Sequence, residues 1–354
     1  MWERNKRNVP FVSFKLMEIE LNEEKTMKKY DVSVLVCTYN PDKTKLLETL
    51  FSIINQKGIS FQVVVSDDGS KNDFHEEMEK FMKDFCFVDY IFTKLSSNQG
   101  TVKNVINGLN YCEGEYVKAL SPGDGFLYMD SLKKWHGELQ LNGNDWSFGK
   151  VINYHMEGNK IIPSHEEAWP LNTDIYNSKN EKKMMWNYLV LGDIAVGASM
   201  LTKTSVLKEY LSLIEGKVIY AEDHAYRLMV LDKRIPFFYP SNVVYYEYGT
   251  GISTSNLDFW DERIRKDYET AGGIMKLSVK NPDAFQNKII KINNLKRNCS
   301  LIEKIYRLVF VKKGLGYGIK RSFFPRLTEV EWGDFLIDNW NNDTFFVDNS
   351  CQNK

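Results

Sequence analysis

The chain of 354 residues lacks several features that would assign it to a class at once. It contains no apolar run approaching the ~20 residues that a membrane-spanning helix requires. Its five cysteines are scattered without CxxC spacing, which argues against a zinc site or a disulfide framework and predicts reduced thiols in a cytosolic setting. It has no GxGxxG after the first predicted strand and no GxxxxGK[ST], so neither a dinucleotide fold nor a P-loop is indicated.

Charge is nearly balanced over the whole chain but is unevenly distributed. The formal net charge is −1, yet residues 276–326 carry thirteen Lys or Arg against two acids. Basic residues interleaved with apolar ones suit a helix that lies on an anionic membrane leaflet. The alternative is a solvated helical face packed on the core. Nucleic acid is not expected as a partner, because no recognised binding module accompanies the charge.

The first third of the chain alternates between apolar runs and helical periodicity. Strands are predicted at Asp31–Thr38, Phe61–Ser66, Val88–Thr93 and in the run that ends at Ser121. The intervening helices begin near Asp42, which is a plausible N-cap, near Asp73 and near Gly100. This alternation predicts an α/β fold: a doubly wound, mainly parallel sheet with helices on both faces.

Polar clusters follow each of these strands. They are Thr38-Tyr39-Asn40, Asp67-Asp68, Ser97 to Gly100, and Ser121 to Gly125. Ligands of doubly wound sheets bind beyond the carboxyl ends of the strands, where these clusters would meet. Each cluster alone could be an ordinary turn, but together they predict a nucleotide site.

Four motifs, in this order and spacing, resemble those of inverting glycosyltransferases of family 2, which have the GT-A fold. They read VSVLVCTYNP, VVVSDDGS, NQGTVKNVINGLNYCEGEYVKALSPGD and YAEDHAYRLMV. The resemblance covers about residues 31–255 and implies a nucleotide-sugar donor, usually a UDP-sugar, with Mn²⁺ or Mg²⁺ as cofactor.

The resemblance also implies a domain organisation. We expect an N-terminal extension (1–29) that carries charges throughout and is no signal peptide, a GT-A domain (30–255) and a basic helical C-terminal region (256–354). Within the GT-A domain, a nucleotide-binding half (30–130) would precede an acceptor half (131–255).

By the same resemblance, Thr38, Tyr39 and Asn40 line the nucleobase pocket, and Tyr39 could stack on uracil. Asp68 matches the acid that reads the base. A carboxylate that accepts from the N3–H of a pyrimidine distinguishes uracil from cytosine, which lacks that donor. Asp67 is expected to be structural or close to the ribose.

The segment from Asn98 to Asn104 resembles the family pattern N-x-G-x-x-x-A-R-N but is two residues shorter. Asn98 and Gly100 are therefore expected at the donor. Lys103 stands where the family often has Arg and is a candidate diphosphate contact; a solvated helical lysine is the alternative.

Asp124 matches the last acid of the metal-binding motif of the family. Two acids of that motif are missing, since Ser121 and Gly123 occupy their places. One carboxylate can suffice, because the diphosphate and water fill the remaining positions of an octahedral cation. The reduced motif also leaves open an inactive enzyme, or one that needs little metal.

About a hundred residues later, Glu222-Asp223 matches the Glu-Asp pair of the family. Inverting transfer is a single displacement, so a carboxylate must take the proton of the acceptor hydroxyl. Asp223 is the predicted base, Glu222 would orient it or touch the donor sugar, and His224 could contact acceptor or phosphate. Gly197, in a predicted strand from 193 to 201, would let the sugar approach.

The sequence thus predicts a metal-dependent hexosyl- or N-acetylhexosaminyltransferase that acts on a hydroxyl of a saccharide or lipid-linked acceptor. Its expected location is the cytoplasm, at the inner face of the cell membrane if the basic segment binds lipid. The main alternative is a catalytically inactive nucleotide-sugar-binding or assembly protein of the same fold. A sugar-phosphate nucleotidyltransferase is disfavoured, because it would carry a Gly-rich, Arg-containing loop after the first strand, unlike Thr38 to Pro41.

Overall fold

A computed structural model describes residues 30–157, 160–178, 180–249, 251, 258–294 and 323–330. Within these residues, nine strands form one sheet. They are β1 (Tyr30–Thr38), β2 (Phe61–Asp67), β3 (Tyr90–Lys94), β4 (Gly114–Leu120), β5 (Gly125–Phe126), β6 (Trp146–Glu157), β7 (Lys160–Pro163), β8 (Met200–Lys203) and β9 (Phe237–Glu247). Their order is β3-β2-β1-β4-β8-β6-β9-β5, and β7 pairs with β6.

The described helices lie between and after these strands. They are α1 (Lys43–Ile54), α2 (His75–Asp84), α3 (Thr101–Leu109), α4 (Ser131–Asn142), α5 (Asp174–Asn177), α6 (Glu181–Trp186), α7 (Thr204–Ile214), α8 (His224–Leu231), α9 (Asp258–Ile274) and α10 (Ala284–Asn293). Asp42 is the N-cap of α1, as predicted, and its side chain accepts a hydrogen bond from the backbone N–H of Lys45.

The strands β3, β2, β1 and β4 are mutually parallel. Alternate residues of β1 point to opposite faces, as the pleat of a strand requires. Val34 packs in one core cluster with Leu46 and Leu50 of α1, whereas Leu35 packs in another with Val105 of α3. The prediction of an α/β sheet with helices on both faces is therefore confirmed.

The remainder of the sheet is mixed. Strand β8 runs antiparallel to both β4 and β6, β5 runs antiparallel to β9, and β6 and β9 are parallel. The strand predicted from residue 193 begins only at Met200, because Gly197–Ser199 form a turn of 3-10 helix. Asp193 lies outside the sheet, and its carboxylate accepts hydrogen bonds from the backbone N–H groups of Leu171 and Asn172.

The described part of the predicted C-terminal region packs on the same core. Met275, Ile289 and Ile290 belong to the cluster that contains Leu228 of α8. Further along, the backbone N–H of Ala168 donates to the carbonyl of Arg326. Most of the basic segment 276–326, on which the predicted membrane contact depends, lies outside the described residues. In the described part of the chain, no helix is long and apolar enough to cross a membrane.

The cysteines follow the expectation of reduced thiols only in part. Cys37 and Cys112 are free thiols. Cys86 is in a disulfide, which corrects the expectation for this residue.

Candidate functional site

A hydrogen-bond network joins the carboxyl ends of β1 and β2. Asp67 is fully buried, and its carboxylate accepts from Thr38 Oγ1 (3.1 Å) and from the backbone N–H and hydroxyl of Ser70 (2.9 and 2.5 Å). The backbone N–H of Asn40 donates to Ser70 Oγ at 2.6 Å. The structure thus brings Thr38, Asn40 and Asp67 together, with Asp67 in the structural position that the sequence suggested for it.

Asp68 attaches the loop before α3 to this edge. Its two carboxylate oxygens accept from the backbone N–H groups of Gln99 (2.7 Å) and Gly100 (2.9 Å). Burial raises the pKa of Asp68, while these hydrogen bonds act in the opposite direction. Gly100 is required here: its φ is 92°, and a Cβ would lie 2.7 Å from the carbonyl oxygen of Ile219. A contact of Asp68 with a base would add to this role of holding the loop.

The other residues predicted at the donor divide into two groups. Tyr39 is 47 % exposed and Asn98 is exposed, so both can reach a ligand at this edge. Lys103 instead forms an ion pair with Glu215, at 2.5 Å, beside the end of α7. The structure therefore does not bring Lys103 to the cavity described next.

A cavity of about 290 Å³ opens beside the carboxyl end of β4. Its wall includes four residues predicted from the sequence, Asp124, Gly197, Glu222 and Asp223, together with Glu247 and Tyr268. These residues come from five places in the fold: the loop after β4, the turn before β8, the loop before α8, the end of β9, and α9. Residues almost a hundred positions apart thus share one site.

Asp124 lies in a turn that α1 holds in place. Thr49 of α1 donates through its hydroxyl to the carbonyl of Asp124 (2.7 Å) and accepts from the N–H of Gly123 (3.0 Å). The carboxylate of Asp124 accepts from the N–H of Ser121 at 3.1 Å. Gly123 has a φ of 100°, and a Cβ there would collide with the carboxylate of Glu247. The glycine that replaces one family acid therefore makes room for another acid, from β9.

Glu247 is a functional candidate that the sequence left unassigned. It is buried and paired with Lys45 of α1 at 2.5 Å. Burial raises the pKa of Asp124, and the carboxylate of Glu247 adds to that rise. Burial also raises the pKa of neighbouring Glu48 to about 7; Asp42 and Glu247 contribute to the rise and Lys45 opposes it. Acidic charge is thus concentrated around Asp124.

These carboxylates have the chemistry of a site for a hard divalent cation. Carboxylate oxygens are the ligands that Mg²⁺ and Mn²⁺ prefer. No group of three or more His, Cys, Asp or Glu side chains that could hold a metal ion occurs in the described part of the chain. The residues therefore fit such a cation only if oxygens of a bound ligand, such as a diphosphate, complete its coordination.

Lys118 is a second candidate that sequence reasoning missed. It is fully buried in β4, and its ammonium donates to the carbonyls of Ala119 and Ala198, both at 2.6 Å. Burial lowers the pKa of Lys118, whereas the charge of Asp124 acts in the opposite direction. This lysine ties β4 to the turn that contains Gly197. A lysine within the otherwise apolar run YVKAL was the signal that could have revealed it.

Glu222 and Asp223 form the carboxylate pair of the cavity. Both are half-buried, and Asp223 precedes α8 without making a capping hydrogen bond, so its carboxylate is not used up as a helix cap. Burial, followed by the charge of Asp223, raises the pKa of Glu222 from 4.5 to about 8. Burial also raises the pKa of Asp223, with Arg227 opposing. At neutral pH we therefore expect Glu222 to keep its proton.

His224 does not join this pair. It is buried and packs edge-on against Tyr268, with 4.5 Å between ring centroids. Burial, with a smaller contribution from Arg227, lowers the pKa of His224 to about 3, so the ring is neutral near pH 7. It lines a second cavity, of about 440 Å³, together with Arg227. The structure therefore places His224 away from the cavity where it was predicted to act.

Cys37 links the nucleotide edge to the carboxylate pair. It lines the cavity near the end of β1. Burial raises the pKa of its thiol, and the charges of Glu222 and, more weakly, Asp68 contribute. Cys37 therefore lies close enough to both groups of acids for their charges to act on its thiol.

Ligands of α/β sheets bind beyond the carboxyl ends of the strands, which is where the polar edge and the acidic cavity lie. The model of the family described as "Glycosyl transferase family 2" matches residues 33–211, which is half of the chain. The protein belongs to this family and is a glycosyltransferase with the GT-A fold.

Several known proteins are similar. An uncharacterized glycosyltransferase of Methanocaldococcus jannaschii, MJ1057, is 24% identical over 266 residues, which are 74% of this chain and 84% of that protein. The GalNAc(5)-diNAcBac-PP-undecaprenol beta-1,3-glucosyltransferase of Campylobacter jejuni is 35% identical over 97 residues, which are 27% of this chain and 30% of that one.

A solved structure agrees on the fold, and a second one is similar. Mannosyltransferase PcManGT from Pyrobaculum calidifontis, in complex with GDP-Man and Mn²⁺, superposes with a TM-score of 0.51 at 14% identity. The match covers 84% of this chain and 82% of that one. S. aureus TarS 1-349 in complex with UDP-GlcNAc gives a TM-score of 0.49 at 18% identity, over 82% of this chain and 81% of that one.

Proposed function

We propose that this glycosyltransferase is metal-dependent and inverting, and that it moves a sugar from a UDP-sugar to a hydroxyl of a saccharide or lipid-linked acceptor. The observation that carries the proposal is that Asp124, Glu222 and Asp223 line one cavity. A group that can face a diphosphate and a group that can act as a base are what a single displacement requires.

In this reaction the acceptor oxygen bonds to C1 of the sugar as the bond from C1 to the diphosphate oxygen breaks. In its ionised form, Asp223 takes the proton of the acceptor hydroxyl. Glu222 stays protonated, because its pKa is raised to about 8, so it orients the base without a second negative charge. The products are the inverted glycoside and the nucleoside diphosphate.

Asp124 and Glu247 are the residues that would hold Mn²⁺ or Mg²⁺, because both present carboxylates to the cavity. Such an ion supplies neutralisation of the negative charge on the leaving diphosphate. Glu247 would have to exchange its ion pair with Lys45 for this contact. The proposal thus replaces the two missing family acids with one from β9.

Asp68 and Tyr39 support a uridine nucleotide. Tyr39 is exposed and would stack on the base, and Asp68, whose carboxylate oxygens accept from Gln99 and Gly100, would accept from its N3–H. A nucleotide-sugar donor agrees with the ligands named for the structural neighbours, UDP-GlcNAc for TarS and GDP-Man for PcManGT. We propose uridine over guanosine because of the predicted contact between Asp68 and the N3–H of uracil.

A saccharide or lipid-linked acceptor follows from two weaker indications. The Campylobacter jejuni relative is named for an undecaprenol-linked substrate. The basic segment 276–326 suits an anionic leaflet. Together they support synthesis of a cell-surface glycan at the cytoplasmic face of a membrane, without nucleic acid as a partner and with no assignment of oligomeric state.

Ser121 and Gly123 favour a second candidate, a catalytically inactive nucleotide-sugar-binding or assembly protein. In this alternative, Asp124 and Glu247 would hold a donor that is never transferred. Binding of donors without transfer or hydrolysis, over a broad acceptor panel, would support this alternative.

The test is a screen of nucleotide-sugars by thermal shift and calorimetry, with and without Mn²⁺, followed by an assay of nucleoside diphosphate release. We expect a UDP-sugar to stabilise the protein more with Mn²⁺ than without it, and acceptor-dependent release of UDP. The absence of any UDP-dependent stabilisation would exclude the donor that we propose.

A further inference from the structure

Helix α9 lies beyond the residues that the family model matches, yet it contacts the loop that carries the catalytic pair. Asp267 of α9 is buried, and its carboxylate accepts three backbone hydrogen bonds from this loop. One oxygen accepts from the N–H of Ile219 at 3.1 Å. The other accepts from Tyr220 at 2.6 Å and from Ala221 at 3.1 Å. A single side chain thus binds three consecutive N–H groups.

These three residues directly precede Glu222 and Asp223. A buried N–H without an acceptor is costly, so the loop conformation depends on Asp267. The neighbouring residue Tyr268 lines the cavity beside the pair. Helix α9 therefore both closes the cavity and holds the loop that brings the two carboxylates to it.

We propose that Asp267 is a positioning residue of the active site: its carboxylate holds the loop 219–221 so that Glu222 and Asp223 face the cavity. This inference rests on the proposed function of that pair. Asp267 is not in the cavity wall and does not touch the reacting atoms; it acts through the loop.

The charge of Asp267, held next to the pair by these hydrogen bonds, also acts on the two carboxyl groups. The charge of Asp267 raises the pKa of Glu222, after the larger effects of burial and Asp223. It also raises the pKa of Asp223, after burial, while Arg227 lowers it. Among the described residues, the titratable groups whose pKa values respond to the charges of the pair include Cys37 of β1, Tyr188 before α7 and Tyr226 of α8.

Two substitutions separate position from charge. In Asp267→Asn, the amide oxygen can still accept from Tyr220 and Ala221, but the amide NH₂ faces the N–H of Ile219, so one bond and the charge are lost. In Asp267→Glu, the charge remains, but the extra methylene displaces the carboxylate from the loop. Asp267→Ala removes both.

The experiment measures UDP release by the full chain against pH, with the donor that the screen identifies. For Asp267→Asn we expect kcat to fall about tenfold, with less than about twofold change in the KM of the donor. The acid limb of the pH profile, where kcat/KM falls as the base becomes protonated, should shift to lower pH by about half a unit. The reason is that a negative charge next to the base is removed. Asp267→Ala should lower kcat about a hundredfold. Asp267→Glu should lower kcat but keep the wild-type acid limb.

Asp193→Asn is the matched control. Asp193 is also fully buried and also holds a loop by two backbone N–H groups, those of Leu171 and Asn172, but it is not in the wall of this cavity. We expect it to lower the melting temperature without moving the acid limb. An acid limb and kcat unchanged in Asp267→Asn and Asp267→Ala, in folded protein, would overturn the inference.

Two readouts need no turnover, so they separate this inference from the proposed function. Amide hydrogen exchange of residues 219–223 should accelerate in Asp267→Asn. A ¹³C-detected titration should show lower carboxyl pKa values for Glu222 and Asp223 than in the wild type. A wild-type protein that releases no UDP would refute the proposed function; unchanged exchange and titration in the variant would refute the role of Asp267.

Discussion

Buried acids have different surroundings at the edge formed by β1 and β2 and in the cavity beside β4. At the edge, Asp67 receives three hydrogen bonds and Asp68 receives two, from hydroxyl and backbone donors that are already in place. In the cavity, burial raises the pKa values of Asp124 and Glu222, and neighbouring acids add to the rise. The backbone N–H groups of Ser121 and Glu247 and the charge of Lys118 act in the opposite direction on Asp124.

This difference indicates that the edge is complete without a ligand, whereas the cavity is not. Carboxylates that already accept hydrogen bonds stabilise the fold. Carboxylates crowded together destabilise it until a cation or a proton neutralises them. Such groups are typical of functional sites, where residues needed for activity lower the stability of the fold. The following predictions test the comparison, in order of decreasing effect.

The largest effect is expected for Asp223→Asn, which removes the proposed base. Transfer, measured as acceptor-dependent UDP release, should fall about a thousandfold, within the range typical of general base catalysis. The melting temperature should stay close to that of the wild type or rise, because a crowded carboxylate is removed.

Asp130→Asn is the control, since this acid is exposed and paired with Lys134 on α4. It should keep wild-type transfer. Near-normal transfer by Asp223→Asn would show that another group is the base.

At the edge, Asp67→Ala should destabilise the fold by about 2–4 kcal/mol, because Thr38 and Ser70 lose a buried acceptor. The measurement is urea unfolding. Asp124→Ala, the matched substitution in the cavity, should cost less than Asp67→Ala, because burial and the charge of Glu247 already disfavour the ionised carboxylate there. Equal losses at the two positions would contradict the distinction between the edge and the cavity.

Removal of the acid from β9 should weaken metal binding. For Glu247→Gln we expect the affinity for Mn²⁺ in the presence of UDP, measured by calorimetry, to fall about 10- to 100-fold. UDP binding without metal should be unchanged. Glu77→Gln is a suitable control, because this exposed acid pairs with Lys43 at the surface. If Glu247→Gln bound Mn²⁺ as tightly as the wild type, Glu247 would not hold the metal and Asp124 would be left as the proposed ligand.

The smallest effect concerns pH. The pKa of Glu222 is raised in the folded state from 4.5 to about 8, so the folded protein holds this proton more tightly than the unfolded chain. Stability should therefore decrease as pH rises from about 4.5 to about 8 and level off above that. Because the side chain is half-buried and partly screened, we expect an effect of about 1–2 kcal/mol.

Glu222→Gln should flatten this dependence, so that the variant is more stable than the wild type at pH 9 and similar at pH 4.5. The measurement is the free energy of unfolding of both proteins, from chemical unfolding at pH 4.5 and pH 9. A wild-type profile in the variant would show that Glu222 is ionised in the folded state at neutral pH.

Much of the first half of the fold was predictable. β1, β2, α1 and α3 have strong local patterns: unbroken β-branched runs, helical periodicity and an Asp42 cap. The strand predicted from residue 193 was wrong up to Met200, because Asp193 pairs with a loop far from it in sequence instead of extending β8.

In the candidate site, Asp124, Glu222 and Asp223 could be predicted because each lies in a local motif with recognisable neighbours, and the structure places them in one cavity. Lys103 and His224 also lie in such motifs, but long-range packing turns them to Glu215 and Tyr268. A motif specifies which residues are near in sequence, not which way a side chain points.

The sequence by itself determined the α/β class, the family and three acids of the site, because those depend on local periodicity and short motifs. Only the tertiary structure decided that Glu247 meets Lys45, 202 residues away, next to Asp124, and that Asp267 holds the loop before Glu222. Contacts between residues so distant in the chain depend on the register of the sheet and the packing of α9, and no local pattern encodes either.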